Sequence, residues 1–221
     1  MTDPSARTAL AAHERSLTWP ELAAVLHPAG ATALDPTAPA DPAAPTATPA
    51  PRPVHVVAVD GYSGSGKTWF AERLARALGA TIYHVDEFVP GWDALEDGIA
   101  HVTDHLLTPW AQGRAARVRR YDWHGARPGE WLDAAAEPVV VLEGSGIGAV
   151  DPALISALVW VNTPDDLRED RLAGREDHVL YAPYRQMWAA QERALVARAG
   201  APGRADVVVL EAGETRLRIG S

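Results

Sequence analysis

The sequence contains no cysteine, and this absence excludes three kinds of chemistry. Without a thiol the chain forms no disulfide bond, no thiolate metal site and no cysteine nucleophile. The sequence also lacks an apolar run of about 18 residues, which a membrane-spanning helix would need. Its first residues have neither the basic start nor the apolar stretch of a signal peptide, so we expect a soluble, cytoplasmic protein with no membrane partner.

The sequence also has fewer basic than acidic residues. The chain has 20 Lys and Arg against 29 Asp and Glu, which gives a net charge of −9. Because phosphate backbones repel an acidic chain, we expect no nucleic-acid partner, although a local basic pocket for a nucleotide remains compatible with this charge. The length of 221 residues suits one α/β domain with a short extension.

Proline is concentrated in one segment, which divides the chain into three parts. Recurring prolines in residues 28–53 block helix and sheet hydrogen bonds, so we predict a semi-rigid linker there. Residues 1–27 predict a helical N-terminal extension of two short helices that break near Thr18, where Thr18 and Glu21 fit a capping box. Residues 54–221 form the predicted main domain.

Short apolar runs alternate with helical patterns through this main domain. The runs predicted as strands are residues 54–59, 81–85, 139–142, 157–161 and 207–210. The patterns predicted as helices are residues 67–78, 94–112, 165–174 and 183–199. Strands that alternate with helices predict a three-layer α/β/α fold around a five-stranded, mainly parallel sheet.

Residues 61–68 read Gly-Tyr-Ser-Gly-Ser-Gly-Lys-Thr and match the phosphate-loop pattern G-x-x-x-x-G-K-[ST] completely. A predicted buried strand precedes the segment and an amphipathic helix follows it, which is the context this pattern requires. The glycines let successive backbone N–H groups point at phosphate oxygens, and the helix adds the positive end of its dipole. The sequence therefore predicts a site for ATP with Mg²⁺, made by Gly61, Ser63, Gly64, Ser65, Gly66, Lys67 and Thr68.

Two carboxylates come directly after predicted strands, at the edge where parallel sheets bind their ligands. Asp86 can accept a proton from an attacking hydroxyl or hold a magnesium-bound water; a helix N-cap or a solvated acid after a strand is the alternative. Glu143 can support Mg²⁺ through water, together with the hydroxyl of Thr68. A solvated acid at the end of a strand is the alternative for Glu143.

Arginines and aromatic residues supply two further groups. Arg171 and Arg175 are four residues apart, so they share one face of a predicted helix and can clamp transferring phosphate oxygens; a solvated helix is the alternative. The basic run of Arg117, Arg119 and Arg120 leads into aromatic residues and suits a flat or anionic acceptor, with a surface loop as the alternative. The candidate acceptor-pocket residues are Arg120, Tyr121 and Trp123, with Trp92 as a further candidate.

The order and spacing of these motifs resemble the uridine kinase branch of the P-loop nucleoside kinases. The resemblance covers most of residues 54–210 and rests on segments 61–68, 86–88, 121–123, 140–144, 168–175 and 205–209. It implies a P-loop NTPase fold and transfer of the γ-phosphoryl group of ATP to a hydroxyl of a small molecule. It also implies that Asp86 orients this hydroxyl, that Tyr121 lines the acceptor pocket, and that Arg171 and Arg175 lie on a lid that closes over the phosphates held by Lys67 and the loop.

The chain differs from that family around the acceptor. The family has a histidine a few residues after the Tyr-Asp pair, whereas here His124 follows Tyr121-Asp122 at a different spacing, and the lid helix is shorter. A nucleoside is therefore one candidate acceptor, and the chain resembles a side branch. One alternative is a nucleoside monophosphate kinase that binds its acceptor phosphate with the basic run 117–120. Another is a non-catalytic, ATP-dependent switch that docks a protein partner through residues 1–53. A homo-oligomer also stays open.

Overall fold

The computed structural model describes residues 14–27, 53–174, 178–213 and 215–220. The strands are β1 (Arg15–Thr18), β2 (His55–Asp60), β3 (Thr81–His84), β4 (Ala116–Asp122), β5 (Arg127–Ala134), β6 (Val139–Glu143), β7 (Ala157–Val161), β8 (Val207–Ala212) and β9 (Arg216–Gly220). The helices are α1 (Trp19–Leu26), α2 (Lys67–Leu78), α3 (Leu95–Val102), α4 (Thr108–Ala111), α5 (Asp165–Ala173), α6 (His178–Tyr181), α7 (Arg185–Ala199) and α8 (Ala201–Arg204). A π-helical stretch, Thr103–Leu107, joins α3 to α4, and the turn Val85–Phe88 is a 3₁₀ helix.

The main sheet has seven strands in the order β1-β9-β8-β7-β2-β6-β3. Its five strands from β8 to β3 run parallel and coincide with the five predicted runs. Strands buried on both faces read as continuous apolar stretches, which is why the sequence reveals them. The predicted count of five is two too low, because β9 and β1 add antiparallel strands at one edge. These two strands are partly exposed and carry no continuous apolar run.

Helices cover both faces of the sheet, so the predicted three-layer arrangement is confirmed. The central strand β2 shows this directly, because its successive side chains enter different cores. Val56 and Ala58 belong to a core that also contains Trp110 of α4. Val57 and Val59 belong to the other, which contains Phe70 of α2. Within the described residues, no helix is long and apolar enough to cross a membrane.

The N-terminal extension differs from the two predicted helices. Helix α1 forms as predicted, with the capping box in place: Glu21 N–H donates to the Thr18 hydroxyl at 3.4 Å and its carboxylate accepts the Thr18 N–H at 2.7 Å. The residues before Thr18 form β1, which pairs with β9, instead of a helix. Residues 1–13 and the predicted linker up to residue 52 lie outside the described residues.

Residues 116–134 form an antiparallel hairpin, β4-β5, that was not predicted from the sequence. Its strand β4 alternates between buried and exposed residues, and Ala116 and Val118 face the core. The three basic residues of β4, Arg117, Arg119 and Arg120, are exposed. Trp123, which follows β4, lines a cavity together with Ser63 of the phosphate loop.

Candidate active site

The phosphate loop connects β2 to α2 and has the backbone that the pattern predicts. Gly64 and Gly66 have φ angles of +79° and +85°, a backbone conformation that residues other than glycine rarely adopt. A Cβ atom on Gly64 would also lie 2.7 Å from the carbonyl oxygen of Arg168, so no side chain fits there. The loop therefore curls under helix α5 because glycine is present at both positions.

Buried polar groups of the loop are suited to an anion. Lys67, the first residue of α2, is only 7% exposed, so its ammonium group is held within the site. The hydroxyl of Ser65 is buried and has no hydrogen-bond partner. A buried hydroxyl without a partner is costly, and a phosphate oxygen would satisfy it. The residues present therefore fit a bound phosphate chain.

Asp60 lies directly beneath the loop and was missed by the sequence reasoning. Its carboxyl oxygens accept hydrogen bonds from the backbone N–H groups of Gly61 at 2.7 Å, Gly146 at 2.9 Å and Gly148 at 2.8 Å. Burial raises the pKa of Asp60 to about 6, although these hydrogen bonds and the nearby Lys67 oppose the rise. Asp60 thus ties the loop to the segment that follows β6.

The predicted magnesium ligands meet beside the loop. The Thr68 hydroxyl donates a hydrogen bond of 3.1 Å to Oε1 of Glu143, which is 3% exposed. Oε2 of Glu143 lies 2.7 Å from Nδ1 of His84, and this hydrogen bond raises the pKa of His84. Hard oxygen donors at a phosphate site are what Mg²⁺ prefers. Among the described residues, no group of three or more His, Asp or Glu is placed to hold a metal ion, so a cation here would also need phosphate oxygens.

Two arginines of α5 hold the loop from above. Arg171 Nη1 donates to the carbonyl oxygens of Gly64 at 3.2 Å and Ser65 at 3.1 Å. Arg168, which was not predicted, donates from Nη1 to the carbonyl oxygen of Ser63 at 2.9 Å. Arg175, predicted beside Arg171, lies outside the described residues. Helix α5 therefore brings two guanidinium groups to the loop.

A cavity of about 300 Å³ opens on one side of the loop. Ser63 of the loop and Asp86 of the 3₁₀ turn both line it, so the predicted base and the phosphate loop face the same space. Most of the remaining wall is aromatic and comes from Trp92, Trp123, Tyr181 and Trp188. His124 and Leu180 complete the described lining.

Of the three predicted acceptor-pocket residues, only Trp123 lines this cavity. Its indole N–H donates to the backbone carbonyl oxygen of Asp86 at 2.9 Å, which anchors the ring beside that residue. Tyr121 packs against the Trp123 ring at 5.2 Å and supports the wall from behind. Nε of Arg120 is paired with Glu87 at 2.7 Å.

The rest of the basic run is also engaged away from this cavity. Nε of Arg117 lies 3.3 Å from Asp133, and Nε of Arg119 donates to the carbonyl oxygen of Gly129 at 3.0 Å. Neither arginine lines the cavity. Residues 117–120 therefore contribute no side chain to the described lining of this cavity.

Two solved structures resemble this architecture. One is a possible uridine kinase from Bacillus stearothermophilus, with 18% sequence identity and a TM-score of 0.50 over 75% of this chain and 91% of that chain. The other is a candidate fructose transport system kinase from Silicibacter sp. TM1040, with 19% identity and a TM-score of 0.51 over 72% of this chain and 88% of that chain. The chain has the P-loop kinase fold. No protein-family model matches the sequence, and no curated protein matches it.

In this P-loop kinase fold a second, larger cavity of about 490 Å³ lies on the other side of the loop. Ser65 and Gly66 of the loop, Trp69 of α2 and Arg171 of α5 contribute to its lining. The Thr163 hydroxyl donates to the Ser65 carbonyl oxygen at 2.8 Å and fixes the edge of the loop there. The phosphate loop thus contributes residues to both cavities, Ser65 and Gly66 to the larger and Ser63 to the smaller.

Glu192 of α7 is a further residue that the sequence reasoning missed. It is 2% exposed, and its Oε1 accepts hydrogen bonds from the Ser63 N–H at 2.9 Å, the Ser63 hydroxyl at 2.7 Å and the Ser145 hydroxyl at 2.6 Å. No local pattern marks this glutamate, because its partners are distant in the sequence. By contrast, Asp60 and Arg168 stand beside motif residues and could have been noticed there.

Proposed function

We propose that this protein is an ATP-dependent phosphotransferase that moves the γ-phosphoryl group of ATP to a hydroxyl group of a small molecule. The observation that carries the proposal is the shared cavity of Asp86 and Ser63, which puts a carboxylate and the phosphate loop around one space. The kinases with similar structures support a phosphotransferase in general, and their names supply uridine and fructose as first acceptors to assay.

The donor nucleotide occupies the loop and the larger cavity. The backbone N–H groups of the loop, the start of α2 and the Lys67 ammonium bind the phosphate chain, and the Ser65 hydroxyl gains the partner it lacks. The base and ribose extend into the 490 Å³ cavity beside Trp69. This arrangement leaves the terminal phosphate directed toward the smaller cavity.

Thr68 and Glu143 are the residues that would hold Mg²⁺, Thr68 through its hydroxyl and Glu143 through water. Bound Mg²⁺ would neutralise part of the negative charge of the phosphates. His84 keeps the Glu143 carboxylate in place from the side opposite Thr68. The chain contributes few ligands of its own, which agrees with the usual binding of Mg²⁺ through one or two protein oxygens together with substrate phosphates.

In the transfer step, the acceptor hydroxyl oxygen forms a bond to the γ-phosphorus as the bond to the β–γ bridging oxygen breaks. The hydroxyl proton passes to the Asp86 carboxylate, and ADP leaves with the electron pair of the broken bond. Arg171 and Arg168 lie over the loop and stabilise the charge on the transferring oxygens. Most of the acceleration comes from positioning and electrostatics.

Calorimetry and coupled ADP assays with matched variants test this proposal. We expect Lys67→Ala to weaken ATP binding by at least about ten-fold, because it removes a charge-assisted phosphate contact. We expect Asp86→Asn to bind ATP normally but to lose phosphoryl transfer to an acceptor. Asp104→Asn, an exposed carboxylate that lines neither cavity, is the control and should behave as the wild type. Unchanged transfer in Asp86→Asn would remove Asp86 from the mechanism.

A further inference from the structure

The aromatic wall of the 300 Å³ cavity has a shape that indicates its ligand. Trp92 is inclined by 55° to Trp123, 50° to Tyr181 and 78° to Trp188, with ring centroids 4.6 to 5.9 Å apart. Trp123 is inclined by 66° to Trp188. No two of these rings are parallel, so they do not form the parallel-sided slot in which a flat base would stack on both faces.

The charges around the cavity favour a cation. Asp86 and His124 are the titratable side chains other than tyrosine in the described lining, which contains no lysine or arginine. Arg120, which the sequence placed at the acceptor, is paired with Glu87 and does not line the cavity. Faces of indole and phenol rings carry negative electrostatic potential and attract cations, particularly those that shed water easily. The net charge of the chain, −9, acts in the same direction.

Trp92, Trp123 and Trp188 form an aromatic cage, and contacts with the rest of the protein make it rigid. Trp123 is held to the Asp86 carbonyl oxygen at 2.9 Å, and Trp188 Nε1 donates to Glu192 at 3.2 Å. Trp92 stacks in parallel on Tyr184 at 4.9 Å, outside the cavity. Each of the three tryptophans thus has a contact with another part of the chain, so a bound group would not have to order them.

We propose that the acceptor is an amino alcohol, a small hydroxyl compound whose N-alkylated ammonium group binds among Trp92, Trp123 and Trp188. Its hydroxyl group points to Asp86 and the phosphate loop. The phosphoryl step rests on the proposed function: the alcohol oxygen gains the phosphoryl group, its proton passes to Asp86, and ADP is released. The selectivity of the cage for a cation does not require catalysis and can be tested alone.

Equilibrium binding measures this selectivity directly. The probes are choline and dimethylbutanol, its neutral isostere in which carbon replaces nitrogen; quenching of the tryptophans and calorimetry report binding. We expect choline to bind about ten-fold more tightly than the isostere, since only the cation interacts with the ring faces. Tetramethylammonium, which has no hydroxyl, should compete with choline. Equal affinity of choline and its isostere would overturn the proposal.

Variants separate the cage from a general effect of charge. Trp123→Leu should abolish the preference for choline over its isostere, while Trp123→Phe should keep part of it. Trp131→Leu is the control, because this tryptophan lies on the hairpin, is 48% exposed and does not line the cavity. A preference that persists in a folded Trp123→Leu protein, confirmed by thermal melting, would also overturn the proposal.

Phosphoryl transfer distinguishes the two proposals. The assay compares choline, dimethylaminoethanol, uridine, fructose and a nucleoside monophosphate, each with ATP and Mg²⁺. Transfer to the two amino alcohols supports both proposals. Transfer to uridine or fructose alone would support the proposed kinase activity and overturn the proposal that the acceptor is an amino alcohol. Selective choline binding without transfer to any compound would support cation binding by the aromatic cage and contradict the proposed kinase activity.

Discussion

The indole N–H of Trp188 and the backbone N–H of Ser63 donate hydrogen bonds to the same atom, Oε1 of Glu192, at 3.2 and 2.9 Å. Trp188 is a wall of the smaller cavity, and Ser63 belongs to the phosphate loop. A single buried carboxylate oxygen therefore connects the two places where we expect the substrates to bind. If a bound acceptor displaced Trp188, the hydrogen bond to Glu192 would change, and Glu192 contacts Ser63 of the loop.

Replacement of Glu192 tests this connection. Glu192→Leu leaves the buried Ser63 and Ser145 hydroxyls without their partner, so we expect the free energy of unfolding to fall by at least about 2 kcal/mol. Glu192→Gln keeps an acceptor oxygen and should lose clearly less. Denaturant titration measures both, and the Michaelis constant for ATP in the Gln variant reports on the loop. Equal stability of the Leu and Gln variants would contradict this role.

Changes at Thr68 and Glu143 should act on Mg²⁺. Thr68→Val removes the hydroxyl, and Glu143→Gln removes the charge, so we expect each to raise the Mg²⁺ concentration for half-maximal activity by about ten-fold. The measurement is activity as a function of Mg²⁺ at saturating ATP. Glu130→Gln, an exposed residue of the hairpin, is the control. An unchanged Mg²⁺ requirement in both variants would place the cation elsewhere.

Asp60 should make stability depend on pH. Burial raises its pKa in the folded protein from 3.8 to about 6. Between these values the folded state retains a proton that the unfolded chain has lost, so the contribution of Asp60 to stability falls as pH rises through this window and is constant above it. A rise of this size corresponds to about 3 kcal/mol.

The Asp60→Asn variant isolates that contribution, because asparagine does not titrate. We expect the free energy of unfolding of the wild type, minus that of the variant, to shrink between roughly pH 4 and pH 6.5. Denaturant titrations at several pH values give this difference, and groups common to both proteins cancel. A difference that stays constant across the window would show that Asp60 has the same pKa in the folded and unfolded protein.

Arg171 should affect transfer more than binding. Its guanidinium lies on the carbonyl oxygens of Gly64 and Ser65, where it can reach a phosphate oxygen as the reaction develops charge. We expect Arg171→Ala to lower kcat roughly ten- to hundred-fold with a smaller effect on ATP affinity. Arg76→Ala provides the control, since this exposed arginine pairs with Glu72 on the outside of α2. A loss confined to ATP affinity would assign Arg171 to ground-state binding.

The N-terminal extension should be needed for stability, because helix α1 completes one of the two cores. Trp19 is 9% exposed and packs on Phe70 at 5.3 Å and Trp69 at 6.1 Å. We expect Trp19→Ala to lower the free energy of unfolding by about 3 kcal/mol or more. Val25→Ala on the same helix is the control: Val25 is 61% exposed, so its loss should cost less than about 0.5 kcal/mol. Similar losses in both variants would contradict this packing.

Most of the sheet and the phosphate loop could be predicted from the sequence. The five parallel strands are continuous apolar runs, and residues 61–68 are adjacent in the chain, so their backbone geometry depends on local glycines and on the next helix. The edge strands β1 and β9 and the hairpin β4-β5 could not be recognised in this way. Their residues are partly exposed, and each strand is defined by the partner it pairs with.

The sequence by itself determined the glycine loop between β2 and α2 and which carboxylates stand at the ends of the strands. Only the tertiary structure decided which residues line the smaller cavity, which we propose for the acceptor, because Trp92, Trp123 and Trp188 lie on separate segments that packing brings together. The same is true of Glu192, which contacts a loop residue 129 positions earlier. Local motifs are encoded by adjacent residues, whereas a binding wall depends on how distant elements pack against the core.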